Sequence, residues 1–339
     1  MPAPLIHILH LSDIHLQPES DPSQHLIKLE SDLKNELEVN GLEYLVLSGD
    51  FTNYATTEEY AVAYDFINRL VSRFGLDFRR VIMVPGNHDV NWKLSQAAYP
   101  FVHKSELTST PPEGRHIPAG EEGILLCDEE KYRDRFKPFN QALYKHIYGE
   151  EYPLQYDEQA RIHAFEADRI LFLALNSAWE IDHYRPNRIC SGIHPGALAR
   201  ALEQLMEEKY KGWLKIAVSH HPVTGVETMR DTAFLEQLAV HGFQVAMHGH
   251  IHKTESEYFR YDKGRGLNII GAGTFGAPPK EQVTSIPLQY NLLLLNPETG
   301  TLTVETRKKE QVNGAWAADA RWSDKSKKPE PRYILQLKK

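Results

Sequence analysis

Five short segments, each closing an apolar run, carry most of the side chains in this chain that could do chemistry. They are Ser12-Asp13-Ile14-His15, Gly49-Asp50, Gly86-Asn87-His88-Asp89, His220-His221-Pro222 and His248-Gly249-His250-Ile251-His252. Together they offer carboxylate, amide and imidazole donors and no thiolate. That donor set suits two close divalent transition metals better than a structural zinc. Asp13 and His15 are separated by one residue, so on an extended segment both face one side and can reach one metal. The structural alternative is a strand-end carboxylate cap beside a surface histidine. Asp50 follows an apolar run and can bridge two cations with its two oxygens. Asn87 offers a neutral carbonyl oxygen, and Asp89 is placed to orient or charge-stabilise His88. Pro222 turns the chain directly after His220, so His221 is expected to point away from the site. His250 and His252 alternate, and Gly249 between His248 and His250 lets the backbone pass closely. His248 shares their parity and reads equally as a buried, backbone-bonded histidine or as a metal residue.

The elements that must position these residues are legible in the pattern. Ile6–Leu11, Tyr44–Leu47 and Val81–Val84 are short apolar runs that each end in a motif. Between them, Leu26, Leu29, Leu33 and Leu37 have helical spacing, as do Tyr60, Ala63, Tyr64, Ile67 and Val71 within Thr57–Arg73. Strand, motif and helix repeated in this way predict βαβ units with a mostly parallel sheet and the motifs at its carboxyl edge. From Val90 to about Ala160 the pattern loosens, with a helical stretch at Glu129–Tyr148. This segment is expected to be an insertion draped over the sheet edge, a lid or specificity element. A hairpin is expected at Arg161–Phe165 and Ile170–Leu175, then a helix from Pro195 to about Tyr210. Leu214–Val218 and Phe243–Met247 repeat the strand logic ahead of His220 and His248. After Gly271 come strands at Tyr290–Leu295, Leu302–Thr306 and Tyr333–Leu337, while Lys325-Ser326-Lys327-Lys328 reads as a solvated loop. The expected organisation is a catalytic domain over residues 1–270, with the 90–160 insertion, and a strand-rich extension over 271–339 that packs on it or completes it.

Composition sets the outer bounds. The chain has 339 residues, 41% hydrophobic and 25% charged, in the range of an ordinary globular protein. The run Leu5–Leu11 contains two histidines and lacks a basic flank, which argues against a signal peptide. No stretch approaches the roughly 18 apolar residues of a membrane span. Two cysteines, Cys127 and Cys190, are too few for a disulfide framework, so the cytoplasm is the expected compartment. The net charge is −8, from 38 basic and 46 acidic side chains, which disfavours long nucleic acids as partners.

The order Asp13-x-His15, Gly49-Asp50, Gly86-Asn87-His88-Asp89, His220, Gly249-His250-x-His252 resembles the calcineurin-like metallophosphoesterase superfamily, with all five motifs intact. The resemblance implies an α/β fold, a four-layer α/β/β/α sandwich with two mixed β-sheets, carrying a dinuclear site on one sheet's loops. It implies that Asp13, His15, Asp50 and His252 hold one metal, and that Asp50, Asn87, His220 and His250 hold the other. Mixed nitrogen and oxygen donors suit Mn²⁺ or Fe, with Zn²⁺ as the third option. The implied reaction is phosphoester hydrolysis by hydroxide generated between the metals, with His88 as acid or charge stabiliser. Within the superfamily, Ser219-His220-His221-Pro222 and Leu175-Asn176-Ser177 are most similar to bacterial class III cyclic-nucleotide phosphodiesterases, although Asn176 stands where those enzymes have an acid. A phosphodiester, cyclic nucleotide or other nucleotide is therefore the expected substrate, and no membrane partner is expected. The alternatives are a nuclease, a protein phosphatase, a non-catalytic scaffold, and an effector module of a larger signalling or defence system. Repair nucleases of the superfamily carry a second histidine three residues beyond the bridging aspartate, where this chain has Asn53. Asn53, His103, His183, Arg185 and Arg230 are further residues that could touch a phosphate or base. Oligomeric state stays open.

Overall fold

Alternation along the strands explains the architecture. The computed structural model describes residues 4–185, 190–225, 228–276, 286–311, 313–323 and 327–337, so Lys325 and Ser326 of the lysine-rich run lie outside the described residues. In chain order the strands are β1 (Ile6–Leu11), β2 (Tyr44–Leu47), β3 (Val81–Met83), β4 (Phe101–His103), β5 (His116–Ala119), β6 (Gly123–Leu126), β7 (Ala160–Phe165), β8 (Ile170–Leu175), β9 (Leu214–Val218), β10 (Val245–His248), β11 (Glu255–Arg260), β12 (Gly266–Gly271), β13 (Leu288–Asn296) and β14 (Thr301–Lys309). Short strands β15 (Ala317–Ala318), β16 (Trp322–Ser323) and β17 (Pro329–Glu330) precede β18 (Arg332–Gln336). One mixed sheet runs β15-β14-β13-β1-β2-β3, with β18 also on β14; a second runs β11-β12-β10-β9-β8-β7.

Successive residues of these strands face opposite ways. Ile8, Tyr44, Val46 and Ile82 of the first sheet share a buried cluster with Phe172, Ile216, Val218, Val245 and Met247 of the second. Their alternates Leu9, Leu45, Leu47 and Val81 pack on helical residues such as Leu26, Ile67 and Leu70. On the second sheet Leu171, Leu173, Ala217 and Ala246 pack on Leu198, Leu202, Leu235 and Leu238 of two further helices. Each central strand is therefore apolar on both faces, which is why the sequence shows continuous apolar runs rather than alternation.

Within the first sheet β1, β2 and β3 are parallel, and β13 joins β1 antiparallel. In the second, β8, β9, β10 and β12 are parallel, with β7 and β11 antiparallel at the edges. Parallel strands need long crossovers, and helices supply them. The helix Thr57–Phe74 starts at a capping box between Thr56 and Glu59 and stops at Gly75 in the left-handed conformation. The first crossover, Pro22–Ser31, continues as a π-helical turn over Asp32–Glu36. At that turn the buried Asp32 carboxylate receives both Arg307 Nε (2.8 Å) and Nη2 (2.5 Å) from β14, and the Tyr290 hydroxyl from β13. The π turn thus carries the carboxylate of a buried ion pair.

The segment expected to drape over the sheet edge divides in two. Residues 101–126 form a small antiparallel sheet, β4-β6-β5. The helical part does not drape: Phe139, Leu143, Tyr144 and Ile147 are buried in the cluster beneath Thr57–Phe74. It also breaks into α, 3₁₀ and π turns between Glu129 and Tyr148 rather than one helix.

Candidate metal centre

All five segments leave their strands at one edge. Asp13 follows β1, Asp50 follows β2, Asn87 and His88 follow β3, His220 follows β9, and His250 follows β10, each past the carboxyl end. Beyond the strands, β1 and β2 stay zipped together: Asp13 N–H donates to the Gly49 carbonyl and His15 N–H to the Asp50 carbonyl. The expected extended alternation is not what unites the residues. Asp13, His15, Asp50, His250 and His252 all have positive φ, between 48° and 68°. Each such non-glycine residue costs on the order of 1 kcal/mol or more of backbone strain. Five together mark a site whose geometry is imposed by its surroundings. The turns pack so tightly that a Cβ on Gly249 would lie 1.7 Å from Ser12 Oγ, and one on Gly49 would lie 2.6 Å from His220 Nδ1. Glycine is required at both positions.

The imidazoles are oriented by one loop. His220 Nδ1 lies 2.7 Å from the Ser48 carbonyl, His15 Nδ1 3.3 Å from that of Thr52, and His88 Nδ1 3.1 Å from that of Asn53. A carbonyl only accepts, so each Nδ1 carries the proton and donates. In His15 this leaves the Nε2 lone pair for a metal, and in His220 it does so once Nε2 gives up its proton, the arrangement typical of metal-bound histidines.

Two groups of donor atoms converge on Asp50. His220 Nε2 lies 3.0 Å from Asn87 Oδ1, 3.2 Å from Asp50 Oδ2 and 3.3 Å from His250 Nδ1. Ligands about 2.0–2.2 Å from a common ion at angles near 90–110° would be about 3.0–3.5 Å apart, the spacing seen here. On the other side His15 Nε2 is 4.0 Å from both Asp13 Oδ1 and Asp50 Oδ2. Asp13 is fully buried and His15 is 4% exposed, yet among the described residues Asp13 Oδ1 and His15 Nε2 have no hydrogen-bond partner. Asp13 Oδ2, by contrast, receives Ser12 Oγ and the His250 N–H. Orphaned buried polar atoms of opposite donor character to a cation are costly without one. These residues fit a pair of divalent ions, with Asp50 Oδ2 between the two groups.

Electrostatics agree with that fit. Burial would raise Asp50, but the imidazoles of His220, His88 and His15 outweigh it and hold the carboxyl well below its usual range. Burial likewise opposes ionisation of His220, yet the Asp50 carboxylate pushes it up to about 9. Burial and the neighbouring His220 press His250 down to about 4, so it stands neutral and able to ligate.

Other expectations are redistributed. His252 stacks on His15 at 6.3 Å and its Nδ1 is bonded to Thr274 Oγ1. Its charge is the largest acting on the Asp13 carboxyl. His221 does not point away: it is 1% exposed, its ring lies 4.6 Å from that of His250, and one of its nitrogens lies within 4.8 Å of those of His220 and His250. Pro222 turns the backbone, but Ser177 Oγ holds the His221 N–H and Nδ1 and keeps the ring inside. Asp89 does not orient the His88 ring. Its buried carboxylate receives the N–H groups of Asp50, Phe51 and Gly86 and the Tyr60 and Thr52 hydroxyls, clamping the β2 and β3 turns together. Burial and the Asp50 charge push it up to about 7. His248 faces Glu255 at 3.4 Å behind the site. Asn53 is buried beside His88, and its side-chain amide atoms have no partner among the described residues. Arg185 is engaged with Asp182 and Tyr99, Arg230 with Glu180, His103 with Ser105, and the His183 ring lies on Tyr184 and Tyr99. Sequence reasoning missed Thr274, and missed the role of Ser177. Only their short polar side chains after apolar runs could have signalled them.

Comparison with known proteins bears on the family. The uncharacterized metallophosphoesterase-like protein YydB of Bacillus subtilis (strain 168) is 21% identical over 254 residues, 73% of this chain and 49% of that protein. The chain thus spans about half the length of that curated relative. The solved structure of PhoD is 10% identical, with 99% of this chain and 70% of that chain covered at a TM-score of 0.58, a likeness of fold. GAP50 of Plasmodium, an anchor in the inner membrane complex, is also 10% identical, covering 99% of this chain and 90% of its own at a TM-score of 0.45. The sequence model of the calcineurin-like phosphoesterases matches residues 6–254, which takes in all five segments, and the chain belongs to that family.

Proposed function

We propose that this protein is a two-metal phosphodiesterase acting on small diesters, cyclic nucleotides among them. The observation that carries the reading is Asp50 Oδ2 standing between His15 Nε2 and His220 Nε2, beside buried donor atoms that no group among the described residues satisfies. In this reading Asp13, His15, Asp50 and His252 hold one ion, and Asp50, Asn87, His220 and His250 the other. Bound there, the ions would neutralise phosphate charge and acidify a water between them. The chain's own residues do the rest. Asp50, fixed through Oδ1 by the His88 N–H at 2.8 Å, sets the spacing of the two halves. His88 keeps Nδ1–H on the Asn53 carbonyl, so Nε2 is the nitrogen that faces the departing oxygen, and it is the imidazolium form of the ring that would deliver the Nε2 proton there. The Ser48, Thr52 and Asn53 carbonyls preorganise three imidazoles before substrate arrives, which favours positioning and electrostatics as the source of rate.

A diester is favoured over a polynucleotide on two grounds. Position 53 is asparagine rather than a second histidine, and the net charge of −8 opposes steering of long nucleic acid. Mn²⁺-loaded protein assayed on bis-p-nitrophenyl phosphate, p-nitrophenyl phosphate, 2′,3′- and 3′,5′-cyclic nucleotides and DNA tests the proposal. Turnover of small diesters with DNA left intact supports it. DNA degradation favours a nuclease, and inertness toward every substrate favours a binding scaffold.

A further inference from the structure

His221 is a buried imidazole beside His220 and the half-buried His250, and proximity alone would make it a metal ligand. Its hydrogen bonds say otherwise. Ser177 Oγ, at the end of β8, has three neighbours: the His220 N–H at 3.3 Å, the His221 N–H at 3.0 Å and His221 Nδ1 at 2.8 Å. A hydroxyl has two acceptor lone pairs and one proton. The two backbone N–H groups can only donate, so they occupy the lone pairs. The single Ser177 proton therefore goes to His221 Nδ1, which must be the unprotonated nitrogen. In the neutral ring the proton then sits on Nε2. Neither nitrogen can ligate a cation: Nδ1 is committed to Ser177, and Nε2 presents a hydrogen.

The ring is packed 4.9 Å from His220 and 4.6 Å from His250, beside the donor group of the second ion. An N–H beside a cation site meets what the cation attracts, namely an anionic oxygen. We infer that His221 is a catalytic residue that donates from Nε2 to a non-bridging phosphate oxygen of the substrate, with Ser177 as the positioning residue that locks its tautomer. This rests on the two-metal reading proposed above. Among the described residues, it divides the three clustered histidines into two ligands and one oxyanion donor.

Glutamine can place an N–H donor near the position of His Nε2, whereas alanine cannot. The test therefore compares wild type, His221→Ala and His221→Gln by calorimetric titration, first with Mn²⁺ alone and then with inorganic phosphate on the Mn²⁺-loaded protein. The expected result is two Mn²⁺ per chain in all three. Phosphate affinity should fall about 10- to 100-fold in His221→Ala, the worth of a hydrogen bond to a charged group, and should largely return in His221→Gln. In the wild type, ¹⁵N NMR of the imidazoles should show the His221 proton on Nε2, and Ser177→Ala should relax that preference. Loss of one Mn²⁺ in His221→Ala, unchanged phosphate affinity in that variant, or a proton on Nδ1 of the wild-type ring would each overturn the inference. A wild type that takes up fewer than two Mn²⁺ would instead overturn the two-metal reading itself, and the inference with it.

Discussion

At the scale of single residues, the side chains proposed to hold metal differ from those proposed to act on substrate. Asp50 faces both donor groups, so Asp50→Ala should cost both ions and all measurable turnover. His88 holds no position in either group, so His88→Ala should keep two ions and lose about 10²- to 10⁴-fold in kcat. Metal analysis beside diester turnover reads both variants, and a metal-replete, active Asp50→Ala protein would contradict the assignment. Protonation gives a second handle. His220 stands at about 9 against an ordinary 6.5, and Asp89 at about 7 against 3.8, in the metal-free chain. Both are raised, so in the metal-free protein their stabilising contributions are complete below the unfolded values. That of Asp89 is lost as pH rises through about 7, and that of His220 as it rises through about 9. Metal needs His220 deprotonated, so Mn²⁺ affinity should move the opposite way, rising about tenfold per pH unit between 7 and 9. Melting curves of chelated protein and Mn²⁺ titrations across that range check both signs. The ligand types themselves were legible in the sequence, because carboxylate, amide and imidazole at strand ends have few other uses together. The inward turn of His221 was not, since it depends on Ser177, 44 residues away.

At the scale of elements, apolar runs gave the strand positions almost residue for residue. Ile6–Leu11 and Tyr44–Leu47 coincide with β1 and β2, and Thr57–Arg73 falls one residue short of its helix. Runs buried on both faces have no rival explanation at that length. What periodicity could not supply is what happens just past the strands, where the left-handed turns of Asp13, His15 and Asp50 are set by contacts with other loops. Nor could it show that Asp32, at a helical position, is paired across the molecule with Arg307. Both partners are buried, at 3% and 5% exposure. Removing one leaves the other unpaired, so Asp32→Ala should destabilise the fold by about 3–5 kcal/mol, read by urea denaturation. A double change to apolar residues of similar volume should cost much less. Gly249→Ala belongs to this scale too. Its Cβ would collide with Ser12, which orders Asp13, so the variant should fold but bind metal at least tenfold more weakly in the same titration.

At the scale of the whole molecule, two sheets share one apolar interior and bring the ends of β1, β2, β3, β9 and β10 to a common edge. Strands from the last third of the chain are part of that frame: β12 pairs with β10, and β13 pairs with β1 across Ile6–His10. The sequence shows these strands but not their partners, because pairing over nearly 300 residues leaves no local trace. Metal should therefore report on the entire fold. At 100 times its dissociation constant, a bound ion adds about 2.7 kcal/mol, and chelation should lower the melting temperature in one cooperative step. In the proposed function, two ions joined through Asp50 make a diesterase of this chain. This is tested most directly by titrating metal-free protein with Mn²⁺ while following bis-p-nitrophenyl phosphate hydrolysis. Turnover should climb to saturation at two equivalents per chain. Full activity at one equivalent, or two ions bound with no hydrolysis, would contradict it.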